Sequence, residues 1–470
     1  MQHYVKIINE KNLTIYFSFL ILLIWWLIFG YNLSNEPYVW DDLHFFREYT
    51  AEELKNSWTG NWDSDGVETL SYRPVAVLYY HLIYIIFNEN TFLLRSFVIL
   101  EAFFLILITN NLLNYLNFSK GQIIIFTSLI IFSKIFITLI SFFTLSVLIF
   151  AYILTISSIL FFFVSIDKKK EIFFIVSIFL SAAAIFVREE LYVIPIILFL
   201  LYFFKYEINI KNLYQCLKRI SFFLILVFLH MFLRKKFVPD AAHLELIGNR
   251  IMFGDNIIGF GGLIKAFKSS FLPMGYYSSQ YSYEVQKYFS LIWLILIFLA
   301  LIVIFKNFDE IKRNLKKISL IILITIACCL PHLTIDRSFG IFLSSIFALT
   351  AISALINNLF LNQKNSINNI VVLKRLMATL ILIVGIFGGI YRSYLHVESM
   401  NQFSKNIVEY DSMFIYGYKN QGIKISIPSV RYEKKKAHLK NLNIFDFNWG
   451  LKIEDSSPLI IKNRYHPLSF

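Results

Sequence analysis

The stretch LTIYFSFLILLIWWLIFGY, Leu13 to Tyr31, decides the class of this chain. Nineteen residues pass without a charge, which is the length a hydrocarbon core of about 30 Å demands of a helix. The run exceeds a signal-peptide core, and no small-residue cleavage pattern follows it, so it reads as a retained membrane helix. Similar apolar runs recur along the 470 residues, which are 57% hydrophobic and 16% charged. A soluble domain of that apolarity would expose large sticky patches. The expected fold is therefore an all-α polytopic membrane protein.

The net charge of +13 does not point to nucleic acid, because the basic residues collect in short loops between apolar runs. DKKKE (Asp167–Glu171), KYEINIKNLYQCLKR (Lys205–Arg219), KNFDEIKRNLKK (Lys306–Lys317) and the loop from Lys364 to Arg375 form one cytoplasmic set. An even number of runs separates successive members, as the positive-inside rule requires. Counting back from DKKKE through runs at 143–166, 121–140 and 94–116 leaves SYRPVAVLYYHLIYIIF (Ser71–Phe87) as a segment that must not cross. It is short, opens on an arginine and a proline, and is rich in tyrosine, so an interfacial helix is predicted there. The count comes to about eleven spanning helices.

External loops are predicted near 34–92 and 238–287, with an external tail from Arg392 onward. Residues 1–395 form the membrane domain and 396–470 a small extracytoplasmic α/β appendage, in which GIKISIPSV and SPLIIKNRY are strand candidates. The three cysteines, two of them adjacent, match neither a disulfide framework nor a metal-ligand spacing and read as buried small side chains. No two histidines sit at helical ligand spacing, and no P-loop or serine elbow occurs.

Five constellations carry polar chemistry on the predicted external side. WDDLHFFREY places Asp41 and Asp42 just beyond the first helix. Adjacent carboxylates beside apolar surface repel one another, and one of them can acquire a raised pKa suited to a general base; a helix N-cap is the plain alternative. Arg73, followed by Pro74, suits a phosphate at the start of the interfacial helix, or else ordinary snorkelling. FVREELYVIP puts three consecutive charges, Arg188, Glu189 and Glu190, at a membrane boundary with no room for a loop. PHLTIDRSFG brings His332, Asp336 and Arg337 where two helices meet, as a headgroup site or a hairpin-closing ion pair. The stretch from Gly259 to Glu284 offers glycines and a tyrosine cluster for sugar stacking or the interface. His230 reads as a satisfied histidine of the bundle.

These motifs, in this order, resemble polytopic glycosyltransferases of the GT-C fold that use polyprenyl-phosphate-linked sugars, most nearly the protein O-mannosyltransferase-like branch. The resemblance covers residues 10–395. It rests on Asp41-Asp42, on Tyr72-Arg73-Pro74, on Arg188-Glu189 with Pro195 six residues beyond Glu189, on FLPMGYYSSQY, and on Asp336-Arg337. SFGIF stands where the branch carries aromatic and proline residues, and no tetratricopeptide array follows.

The resemblance implies an inverting transfer to a hydroxyl of a surface glycan, glycolipid or protein, with Asp41 as base and Asp42 beside it. It implies that Tyr72, Arg73, Arg188, Glu189 and Arg337 hold the donor phosphate and sugar. No cofactor or metal is required, though the carboxylates are compatible with a divalent cation. Partners are the lipid-linked donor, the acceptor and the bilayer, with no nucleic acid. The expected location is a bacterial inner membrane with the site facing outward, acting on an envelope glycan. Two rivals are an O-antigen polymerase or ligase, resting on late-loop Arg and His, and a lipid-linked sugar flippase, needing charges mid-helix.

Overall fold

The computed structural model describes residues 15–34, 49–60, 72–87, 90–207, 209–237, 260–273, 283–305, 308–333, 341–361, 369–421, 424–426 and 452–454. Asp41, Asp42, Asp336 and Arg337, and the strand candidate SPLIIKNRY, lie outside these residues.

The described chain is almost entirely helical. Helix α1 (Ile15–Gly30) ends in a π-turn at Trp26–Gly30 and runs on through Tyr31–Ser34. It is followed by α2 (Ala51–Thr59), α3 (Pro74–Phe87), α4 (Thr91–Tyr115), α5 (Lys120–Ile131), α6 (Lys134–Ser141), α7 (Ser146–Lys168) and α8 (Glu171–Val187). A 3-10 turn, Glu189–Val193, leads into α9 (Ile194–Lys205) and α10 (Ile210–Phe237). Then come α11 (Phe260–Ser270), α12 (Tyr283–Phe305), α13 (Phe308–Cys329), a 3-10 turn at Leu330–Leu333, α14 (Phe342–Leu361) and α15 (Asn369–Gln421). Strands β1 (Lys424–Ser426) and β2 (Lys452–Glu454) pair antiparallel, with Ile425 opposite Ile453. The first lies within GIKISIPSV. Helix α15 passes through residues 395 and 396 without a break.

Among the described residues, four helices are long and apolar enough to cross a membrane, and α5 with α6 makes a fifth span bent by 54°. Six shorter apolar helices accompany them. The protein is an integral membrane protein with a polytopic, almost entirely helical fold.

Lipid gives no hydrophobic drive for one helix to leave it for another, so the bundle is held by close contact and polar pairs. Helices α7 and α8 meet through small residues. Ser158 Oγ lies 2.6 Å from Ser181 Oγ and donates to the Ser177 carbonyl at 2.7 Å, and Ser177 Oγ donates back to the Ser158 carbonyl. Asn110 ties three helices, donating to Ser18 Oγ of α1 and accepting from Thr127 Oγ1 of α5. Helix α15 crosses the α5–α6 break at Gly389, where an added Cβ would stand 2.3 Å from the Phe132 carbonyl oxygen. That neighbour is backbone and cannot rotate away. Gly389→Ala is expected to cost about 1–3 kcal/mol, read as a lowered unfolding temperature in detergent.

The two ends of the bundle differ. At one end Asp167 accepts from Tyr115, Lys205 and Tyr206, while Arg219 pairs with Glu171 at 2.7 Å. The loops DKKKE and KYEINIKNLYQCLKR thus share one end, as their charge predicts. Arg73, Glu189 and Arg95 lie at the opposite end. Helix α3 starts there, and its Tyr80 hydroxyl donates to the Thr144 carbonyl, just before α7 begins at that same end. At 14 residues α3 reaches only about 21 Å. Its far end, Phe87, packs on Phe97 in the first turns of α4, so both ends of α3 stay at this end of the bundle, as the parity argument expects. Its tyrosines, however, serve the bundle rather than headgroups: Tyr79 stacks on Phe150 and donates to Glu101 Oε2 at 2.7 Å. Leu82, Ile85 and Ile86 form the exposed face.

Candidate functional site

The site is assembled where α8 stops. Arg188 is extended (φ −151°, ψ 124°), which ends the helix, and Pro195 in the first turn of α9 starts the next one. The five residues between form a tight 3-10 turn, so three consecutive charges stay at the membrane boundary. Each then requires a partner, because burying an unpaired charge is costly.

Glu189 finds its partner in the first loop. Arg73 Nε and Nη2 both donate to Glu189 Oε2, at 3.0 and 2.8 Å, and the Tyr72 backbone N–H donates to Oε1 at 3.1 Å. Arg234 of α10 approaches Oε1 to 3.8 Å. The Arg73 and Glu189 side chains are 12% and 13% exposed, low enough for the pairing to be strong. The Nη1 edge of Arg73 is not committed to Glu189.

His230 completes the frame. Its Nε2 lies 3.0 Å from the Tyr72 carbonyl, which can only accept, so Nε2 carries the proton and Nδ1 accepts from the Tyr192 hydroxyl at 2.6 Å. Tyr72 stacks on Phe237 at 5.8 Å, and its hydroxyl donates to the Trp58 carbonyl. Trp58 belongs to α2, which starts on a capping box between Thr50 and Glu53. The sequence signal for that box is TAEE, and the structure rather than the motif reading identified the helix.

Arg188 turns the other way, with Nη2 donating to Glu190 Oε1 at 3.1 Å. Three arginines and two glutamates leave this group at +1. Tyr72, Arg73, Arg188 and Glu189 are thus all brought to one place, and Arg234 and Glu190 join them.

Burial alone would raise the Glu189 carboxyl, but Arg73 and Arg234 hold it down at about 2. Burial lowers Arg73, and Arg188 adds to that against the pull of the glutamates. Burial would also lower Arg188, yet Glu190 and then Tyr152 carry it above its ordinary value. The stability consequence has a definite sign. Because Glu189 lies below its ordinary 4.5, its contribution is complete above that pH and is lost as pH falls toward about 2. The unfolding-temperature gap between wild type and Glu189→Gln is expected to stay constant from about pH 7 to 5 and to close below 4.5.

A second basic group escaped sequence reading. Arg95, Lys134, Arg392 and His396 are all buried. Arg95 Nη1 donates to the Ser141 carbonyl at 2.7 Å, and His396 Nε2 lies 3.0 Å from Ser141 Oγ. Lys134 and Arg392 act electrostatically on each other and on His396. The buried carbonyls ending α6 carry partial negative charge and favour cations there. The available signal was Lys134 standing alone in an apolar run, with Arg392 and His396 one helical turn apart.

Among the described residues, no three His, Cys, Asp or Glu side chains converge as a metal site would require.

No family model matches the chain, and no curated protein does. Its fold is similar to the archaeal oligosaccharyltransferase AglB from Archaeoglobus fulgidus, solved with an inhibitory peptide and a dolichol-phosphate. The TM-score is 0.49, with 13% identity over 83% of this chain and 56% of that one. An Archaeoglobus fulgidus oligosaccharyltransferase tethered with an acceptor peptide containing the NVT sequon gives a TM-score of 0.47, with 13% identity over 87% of this chain and 58% of that one. The chain spans a little over half the length of these proteins.

Proposed function

We propose that this chain is an inverting membrane glycosyltransferase of the GT-C type, in the protein O-mannosyltransferase-like branch. It moves a sugar from a polyprenyl-phosphate donor to a hydroxyl acceptor on the extracytoplasmic side. The supporting observation is the buried Arg73–Glu189 pair, which joins the first loop to the α8–α9 turn at the end of the bundle away from the basic loops.

Asp41 takes the proton from the acceptor hydroxyl. The resulting oxygen attacks the anomeric carbon from the face opposite the lipid phosphate, and the carbon–oxygen bond to that phosphate breaks with its electron pair leaving on the phosphate. Asp42 orients the acceptor or shares the proton. Arg73 supports departure of the phosphate. Glu189 takes its Nε and Nη2 and so fixes the plane of the guanidinium, leaving the Nη1 edge for an anionic oxygen. Tyr72 is anchored at backbone and hydroxyl and holds Arg73 in register. Arg188 and Arg337 serve the leaving group, where the arginines outnumber the glutamates, so a metal is not required.

The site lies at the outer face of a bacterial inner membrane, where the donor's reactive bond meets water, and the acceptor is an envelope glycan. The test is transfer by the purified full chain in liposomes, from a panel of polyprenyl-phosphate sugars to extracted envelope material. Release of polyprenyl phosphate with labelled product is the expected result, and the active donor identifies the sugar. No release from any donor overturns the reading.

A further inference from the structure

A small cavity with room for about one water-sized group lies beside the candidate site, lined by Glu190, Val193, Tyr152, Cys328, Pro331 and Leu343. Five elements build it: the Glu189–Val193 turn, α7, the end of α13, the Leu330–Leu333 turn and the start of α14. Glu190 Oε1 is held by Arg188, whereas Glu190 Oε2 is buried and has no hydrogen-bond partner. A buried carboxylate oxygen left without a donor is costly, which points to a group that arrives from outside to supply one.

We infer that this cavity is a hydroxyl slot: Glu190 Oε2 accepts a hydrogen bond from one hydroxyl of the donor sugar, making Glu190 a specificity-determining residue. The inference rests on the glycosyl-transfer reading above. Three observations give it its chemistry. Arg188 already neutralises Glu190, so the slot favours a neutral donor group over an ammonium. The space admits a hydroxyl and not a ring. Glu190 also stands on the same five-residue turn as Glu189, so the slot is built on the element that holds Arg73.

The experiment measures kcat/KM of the full chain in liposomes with its active polyprenyl-phosphate sugar and the set of monodeoxy analogues of that donor. Wild type is expected to reject one monodeoxy donor by about 10- to 100-fold, the effect of one hydrogen bond to a charged group. In Glu190→Gln this ratio is expected to fall to a few-fold. Val193→Ile narrows the slot by one methylene and leaves the Arg188–Glu190 pair in place, so the ratio falls there too without disturbing a buried charge. Equal use of all monodeoxy donors by wild type, or full retention of the ratio in both variants, overturns the proposal and leaves the cavity to a water. Discrimination seen only among deoxygenated acceptors assigns the hydroxyl to the acceptor and overturns it as well. If wild type transfers no sugar from any polyprenyl phosphate, the glycosyl-transfer reading fails first and takes this inference with it.

Discussion

Asp41→Asn is expected to reduce transfer by about 10²- to 10⁴-fold while donor binding is retained. The amide is nearly isosteric with the carboxylate, so packing is preserved, but it has no basic oxygen to receive the acceptor proton. On the proposed mechanism the lipid phosphate is bound by the arginines, so donor binding is expected to be unaffected. The measurement is single-turnover release of polyprenyl phosphate alongside equilibrium donor binding. Asp42→Asn separates the two carboxylates: a much smaller loss makes Asp41 the base, while an equal loss means that the adjacent pair titrates as a unit. Full activity in Asp41→Asn removes the general-base role and favours an O-antigen polymerase or ligase, whose chemistry rests on later loops.

The second large effect is structural. Glu189→Ala leaves Arg73 buried opposite no carboxylate and removes the acceptor of the Tyr72 N–H. Breaking a buried pair from one side costs about 3–5 kcal/mol, more than the pair itself contributes, because the remaining charge stays desolvated. The unfolding temperature in detergent should drop markedly, and transfer should fall with it as Arg73 loses its fixed plane. Adding Arg73→Ala removes the stranded charge, so the double variant is expected to recover part of the stability and none of the activity. Strictly additive losses would mean that the two side chains are not coupled. Glu189→Gln should fall between, since the amide oxygen still accepts from Tyr72.

These expectations show how unevenly sequence and structure contribute. Apolar runs of membrane length and the asymmetric placement of lysine and arginine determined the polytopic helical class. They also indicated that DKKKE and KYEINIKNLYQCLKR share an end and that Tyr72–Phe87 keeps to the other. Both signals depend on local composition measured against a bilayer of fixed thickness, so no neighbour is needed to read them. The charged residues of FVREELYVIP were legible for the same reason, since a charge at that depth stands out against its own surroundings.

Tertiary structure alone decided the pairings. Arg73 and Glu189 are 116 positions apart, and nothing in either motif says which of Glu189 and Glu190 takes Arg73 and which takes Arg188. The choice follows from the 3-10 turn, which sends successive side chains in different directions. Only folding brings α3, α8 and α10 close enough for those directions to matter. Likewise, Arg95, Lys134, Arg392 and His396 lie on three separate helices, α4, α6 and α15. Their convergence depends on the contact of Gly389 with the α5–α6 break, a property of packing distance that composition does not carry.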